Sequence, residues 1–187
     1  IIYGPGGVGK TALMVELSRL LFETKKQDAV YFDNIIWVSA KKNYYNPLLN
    51  SIEEREKRLD SLDRLHAVIL EFFDYEDAEE YDSGDKEGLV LEILAENRIL
   101  LVLDNLETIA KDEVEKIIKF FGVEVKKRLR NKPDYFKLIV TSREQIPSGF
   151  HQIKLEGLDA RESKDLMKAL YRPYSGSKRS FRKNKKI

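Results

Sequence analysis

Residues 4 to 11 read GPGGVGKT, four glycines and a proline in eight positions. No other stretch narrows so sharply what this chain can fold into. Glycine adopts backbone dihedrals that other residues resist, so Gly4, Gly6, Gly7 and Gly9 predict a tight curl, not a strand or a helix. Apolar residues Ile1 to Tyr3 lead into it. A helical stripe follows, with Leu13, Leu17, Leu20 and Leu21 at three-to-four spacing over Thr11 to Phe22. The unit is strand, loop, helix, and its first strand is expected to be truncated in an excised fragment that starts without Met or a signal peptide.

The rest of the chain repeats this alternation. NIIWVSA (34–40), ILLVLD (99–104), FKLIVTSRE (136–144) and HQIKL (151–155) read as strands, mostly of continuous instead of alternating apolar residues, and Trp37 is expected in the core. Helices are predicted over Ile52 to Phe73, with Leu62, Leu65, Ile69, Phe72 and Phe73 on one face, and over Glu87 to Glu96. Another is marked by Val114, Ile117, Ile118, Phe121, Val125 and Leu129. The segment at 74–85, DYEDAEEYDSGD, reads as an exposed acidic loop. A last helix starts at Asp159, with Glu162 completing a capping box. Continuously apolar strands alternating with helices argue for a parallel sheet covered on both faces. In such sheets ligands bind at the carboxyl ends of the strands.

At 187 residues, 42% hydrophobic and 35% charged, the chain suits one globular domain with a true core. We expect that domain over 1–157, with 158–187 opening a helical segment that ends in a basic tail. No apolar run approaches the roughly 18 residues that span a bilayer. Cysteine is absent, which excludes disulfides, zinc-thiolate sites and thiol nucleophiles and suits a reducing cytoplasm. His66 and His151 are expected on the surface, without metal-ligand spacing. Arg172 to Ile187 holds seven Lys or Arg and no acid. A solvated, disordered tail is the favoured reading, and nucleic-acid binding the lesser one.

The chemistry gathers at two points. GPGGVGKT fits G-x-x-x-x-G-K-[ST] between a strand and a helix, the pattern of a phosphate cradle. The loop and first helical turn, Gly4, Pro5, Gly6, Gly7, Val8, Gly9, Lys10, Thr11 and Ala12, are expected to bind the nucleotide, with amides pointing inward at a helix start whose dipole favours anions. Lys10 would reach the β- and γ-phosphates, and the Thr11 hydroxyl would ligate Mg²⁺. Asp104, at the tip of ILLVLD, is the second metal ligand, the acid that proteins with this loop use to hold magnesium. Asn105 stands where many hydrolytic relatives place the glutamate that polarises water. An amide orients water without accepting its proton, which predicts slow turnover. Glu107 is a weaker candidate for a substitute base.

Pro5 departs from the lysine-led loop of the ParA/MinD branch, and the 51–97 region, acidic towards its end, is unlike the arginine-rich lid of small-molecule kinases. GPGGVGKTAL, IIWVSA, ILLVLDNLE, KLIVTSRE and IKLEGLDARESKDLM together resemble, in that order, the series of STAND ATPases, the NB-ARC and NACHT relatives. The resemblance runs to about residue 170. It implies a three-layer α/β fold with a parallel five-stranded sheet, order 5-1-4-3-2. It implies ATP or ADP with Mg²⁺ as ligands, and a slow ATPase serving as a cytoplasmic signalling or defence switch. Homo-oligomerisation would be gated by sensor and effector domains beyond this chain, and no membrane is involved. By position Arg143 falls on the sensor arginine that reads the γ-phosphate, a catalytic role beside Lys10 and Asp104. Adenine specificity is inherited from the resemblance. The alternatives are an active AAA+ type ATPase working on nucleic acid or protein, and a nucleic-acid adaptor acting through the tail.

Overall fold

The computed structural model describes residues 1–23, 31–46, 51–54 and 58–170; the basic tail at 172–187 lies outside the described residues. In chain order the elements are β1 (Ile2–Tyr3), α1 (Lys10–Glu23), β2 (Asn34–Ser39), β3 (Asn43–Asn46), β4 (Ser51–Glu54), α2 (Leu62–Phe72), α3 (Ser83–Glu96) and β5 (Ile99–Asp104). After these come α4 (Lys111–Lys119), a π-helical turn (Phe120–Val125), α5 (Lys126–Arg128), β6 (Phe136–Ser142), β7 (Ile153–Lys154) and α6 (Ala160–Leu170).

Five strands form one parallel sheet in the order β2-β5-β6-β1-β7, and β3 pairs with β4 antiparallel, apart from it. Numbered alone along the chain, the five sheet strands run 5-1-4-3-2 from the β7 edge, the expected order. β5 is buried along its whole length, and its side chains alternate between the faces. Ile99, Leu101 and Leu103 pack with Leu65 and Ile69 of α2, Val90 and Leu94 of α3, and Ile117 of α4. Leu100 and Val102 pack on the other face with Ile2 and Met14, flanked by Leu17, Leu21 and Trp37. Helices thus cover both sides of a strand with no polar residue before its tip.

Several local expectations are corrected. The helix expected from Ile52 begins at Leu62, because the Ser61 hydroxyl accepts the Arg64 N–H at 3.2 Å and caps it there. Ser51–Glu54 is strand instead, with Ile52 opposite Tyr45, a pairing that β-branched and aromatic residues favour. Phe72, expected on the buried face, is exposed. In α1 the buried face is Met14, Leu17 and Leu21, whereas Leu13 and Leu20 stay about half exposed at 45% and 50%. The stripe is turned by one residue toward Met14, which is 1% exposed among Ile2, Leu100 and Val102. α3 starts at Ser83 instead of Glu87. Its first turn is tied to α2, since Ser83 Oγ and Lys86 Nζ each donate to Asp63 at 2.7 Å. The helix expected through Leu129 is interrupted by the π turn, which carries both Phe120 and Phe121 inward.

His66 is not on the surface. It is 2% exposed on α2, edge-on to Phe120 with ring centres 4.6 Å apart, and its Nε2 has no hydrogen-bond partner among the described residues. α2 packs against both α3 and the sheet, so its buried face is wide enough to include position 66. Burial pushes the imidazole pKa down to about 4; Lys86 adds to the shift and Asp63 opposes it.

By contact pattern the chain divides into Ile1–Leu155 and a second unit from Glu156 onward. The described part of the second unit holds α6. Its capping box is reciprocal: Glu162 N–H donates to Asp159 Oδ1 at 2.7 Å, and Asp159 N–H to Glu162 Oε2 at 2.9 Å. No helix among the described residues is long and apolar enough to cross a membrane.

Candidate functional site

The carboxyl ends of β1, β5 and β6 come together because their registers align: Ile2 pairs with Thr141, Tyr3 with Ser142, and Leu103 with Val140. The chain then leaves β1 as the glycine loop. Gly4, Gly7 and Gly9 take positive φ of 155°, 81° and 96°, a region costly for residues with a Cβ. Gly4 must also be bare because it lies against the backbone of Leu155. Helix α1 opens at Lys10, so the loop delivers its amides to a helix N-terminus.

Lys10 is 7% exposed, and its ammonium donates to the carbonyls of Gly4 at 2.7 Å and Pro5 at 2.9 Å. The cation is therefore held inside the curl. Gly6, Gly7 and Gly9 are exposed along the rim, Val8 is half-buried, and Ala12 lies exposed in the first turn of α1.

Thr11 joins the loop to the mid-chain acid. Its hydroxyl donates to Asp104 Oδ1 at 3.0 Å, with Oδ2 at 3.3 Å. Asp104 is 4% exposed and also accepts from the Thr141 hydroxyl at 2.6 Å. The same Thr141 oxygen accepts the Asn105 N–H at 3.0 Å. Thr141 thus ties the tips of β5 and β6 together.

Asn105 has φ 62° and ψ 44°, the left-handed conformation. Among residues with a side chain, Asn tolerates it best. The backbone is thus a second reason for an amide here, independent of chemistry. The next residues form a short 3₁₀ turn, Leu106–Thr108, pinned by the fully buried Leu106 and by the Thr108 hydroxyl donating to the Ala40 carbonyl at 2.7 Å.

Arg143 follows β6. A Cβ placed on Gly6 would stand 3.7 Å from its Cζ and 3.9 Å from its Nη2, so the guanidinium lies beside the loop. Its Nε pairs with Glu107 Oε1 at 3.2 Å, and its backbone N–H donates to Glu107 Oε2 at 3.2 Å. Glu107 is therefore committed to Arg143, a partnership that residues 36 apart conceal until the strand order is known.

These groups fit a phosphate with a divalent cation. A hydroxyl and a carboxylate, both hard oxygen donors, converge at Thr11 and Asp104. No cluster of three or more His, Cys, Asp or Glu suited to a metal exists among the described residues. A cation here would complete its shell with ligand phosphate and water, the usual habit of Mg²⁺. The loop amides and Lys10 suit the phosphate itself.

The sequence profile of the NB-ARC domain matches residues 1–168. Among solved structures, Cdc6p from Pyrobaculum aerophilum superposes with a TM-score of 0.61 at 15% identity, over 89% of this chain and 41% of that one. The Aeropyrum pernix ORC2 protein, as ADPNP–ADP complexes, gives 0.58 at 16%, over 89% and 44%. The A. pernix ORC1 protein in complex with DNA gives 0.55 at 17%, over 90% and 42%. This chain spans less than half the length of each, and at such identities the likeness shows the fold alone. No curated protein sequence matches.

Proposed function

The chain belongs to the NB-ARC domain family, and from that premise we propose that it is the adenine-nucleotide switch of a STAND-type signalling ATPase. The observation that carries the reading is the Thr11–Asp104 bond, which joins the glycine loop to the acid of β5 with Arg143 beside the same loop. The domain would span 1–157, with 158–187 opening the next segment.

Gly4 to Ala12 would bind the phosphates of ATP or ADP, and Lys10 would neutralise them. Thr11 and Asp104 would hold Mg²⁺, which when bound supplies charge neutralisation across the phosphates. Arg143 would read the γ-phosphate, the charge that separates ATP from ADP. Asn105 would orient water but take no proton, and Glu107 already accepts the Arg143 backbone N–H and forms an ion pair with its guanidinium. With Asp104 held by Thr11 and Thr141 and Glu107 by Arg143, hydrolysis would be slow and the nucleotide would mark a state. Homo-oligomerisation in the cytoplasm would follow that state, under sensor and effector domains of the whole protein.

The likeness to Cdc6p and ORC proteins favours a second reading, an AAA+ type ATPase acting on nucleic acid, with the tail at 172–187 as a contact. Steady-state ATP turnover separates the two. The switch reading expects well under one ATP per second, unchanged by DNA, and loss of nucleotide binding in Lys10→Ala. Turnover of many per second, or strong stimulation by DNA, supports the second reading. Unchanged nucleotide affinity in Lys10→Ala would remove both.

A further inference from the structure

Arg143 is a long side chain at the end of a strand, and it is 67% exposed. Such a side chain loses much rotamer freedom when fixed. Something must hold it if it is to meet a phosphate reproducibly. Glu107 has the right geometry. It rides on the anchored 3₁₀ turn, and its side chain is only 16% exposed. One carboxylate oxygen accepts the Arg143 backbone N–H, and the other lies 3.2 Å from Nε as an ion pair. The acid thereby grips the arginine at both ends of its side chain.

Engaging Nε leaves the two Nη groups for another acceptor, since guanidinium carries five N–H donors and Nε accounts for one. Nη2 lies 3.9 Å from the Cβ position of Gly6, facing the loop. A carboxylate competing with phosphate would be expected to take the Nη fork bidentately. Glu107 does not.

We propose that Glu107 is a positioning residue that clamps Arg143 against the glycine loop and so sets the preference for triphosphate over diphosphate. The inference rests on the reading of Arg143 as the γ-phosphate sensor. Glu107 acts through Arg143 and neither touches the nucleotide nor serves as a base.

The test is a double-mutant cycle on dissociation constants for ATPγS and ADP, each with Mg²⁺, read as their ratio. Arg143→Ala is expected to lower the triphosphate preference about tenfold, the weight of one charge-assisted hydrogen bond. Glu107→Ala is expected to lower it by a similar factor, and the double variant no further than Arg143→Ala alone. Glu107→Gln, isosteric and with one acceptor oxygen left, should fall between wild type and Glu107→Ala. If Glu107→Ala melts early, Glu107→Gln alone decides, with a drop of at least about threefold expected.

Equal losses for ATPγS and ADP would mean a merely structural role and overturn the proposal. A raised preference would make Glu107 a competitor and overturn it as well. Slower turnover with an unchanged ratio would make Glu107 a base, which also overturns the clamp. If Arg143→Ala lowers the ratio and neither Glu107 variant does, the clamp fails while the sensor reading stands. If Arg143→Ala changes nothing, the sensor reading falls and the clamp falls with it.

Discussion

Replacing Gly4 by alanine puts the loop geometry to a quantitative test. The added Cβ would stand 2.2 Å from the Leu155 carbonyl oxygen and 3.2 Å from its carbon. Carbon and oxygen in comfortable contact are about 3.3–3.6 Å apart, so the overlap is about 1 Å. Leu155 is not free to step aside, because its N–H donates to the Tyr3 carbonyl at 2.7 Å where β1 pairs with β7. Overpacking of this kind costs about 1–3 kcal/mol. The φ of 155° adds strain of about 1–3 kcal/mol for a residue with a side chain. Together they make about 4 kcal/mol, a large share of the 5–15 kcal/mol that typically holds a domain together. Gly6→Ala is the control: its Cβ would meet the flexible end of Arg143 at 3.7 Å, an ordinary contact, and should change stability by no more than about 0.5 kcal/mol. Equilibrium urea unfolding measures both. With a slope near 2 kcal/mol/M, the Gly4→Ala midpoint should fall by about 2 M. A Gly4→Ala midpoint within experimental error of wild type, or a more damaging Gly6→Ala, would refute the reasoning.

Thr141→Val, at a position 0% exposed, removes a donor to Asp104 and an acceptor for Asn105; it should cost about 1–3 kcal/mol in denaturant unfolding, and Thr141→Ser should recover most of it. Asn105→Glu should cost about 1–2 kcal/mol from the left-handed backbone and raise ATP turnover by supplying the missing base, whereas Asn105→Gly should be nearly neutral in stability and leave turnover slow. His66 makes stability pH-dependent. With the folded pKa near 4 against an unfolded value of 6.5, the unfolded state binds the proton first. Stability is therefore complete above pH 6.5 and falls, by on the order of 3 kcal/mol, as the pH drops toward 4. Thermal melts between pH 7 and 4 should show this slope in wild type and lose it in His66→Leu. Asp63, whose carboxyl is held below its usual value, enters in a separate window below 3.8: burial raises it, but hydrogen bonds from Lys86 and Ser83 outweigh that.

The sheet was legible in the sequence because β5 is buried on both faces, and its residues at 99–103 are all Ile, Leu or Val. The loop was legible because its glycines answer to backbone geometry alone, and the α6 cap because Asp159 and Glu162 are local partners. What stayed hidden depends on residues distant in sequence. The β3–β4 pairing overrode a helical pattern through Ile52, and the width of the α2 interface drew His66 inside. Met14 takes the buried face of α1 that Leu13 and Leu20 were expected to share, because the direction in which the helix meets the sheet is not written in its own residues. The Glu107–Arg143 pair needs the adjacency of β5 and β6, which the strand order implied and the residue types alone did not. Asn105 is ambiguous in another way: one residue satisfies a left-handed backbone and withholds a base, and sequence shows just the second.

The central claim is that the glycine loop and Asp104 form one magnesium-dependent nucleotide site. Calorimetric titration of ATP with Mg²⁺ and with EDTA, on the wild type and on Asp104→Asn, tests it directly. The expected result is binding that Mg²⁺ strengthens about tenfold or more in the wild type, with that dependence lost in Asp104→Asn while weak metal-free binding to the loop persists. Binding that ignores Mg²⁺ in the wild type, or a Mg²⁺ dependence that survives intact in Asp104→Asn, would contradict it.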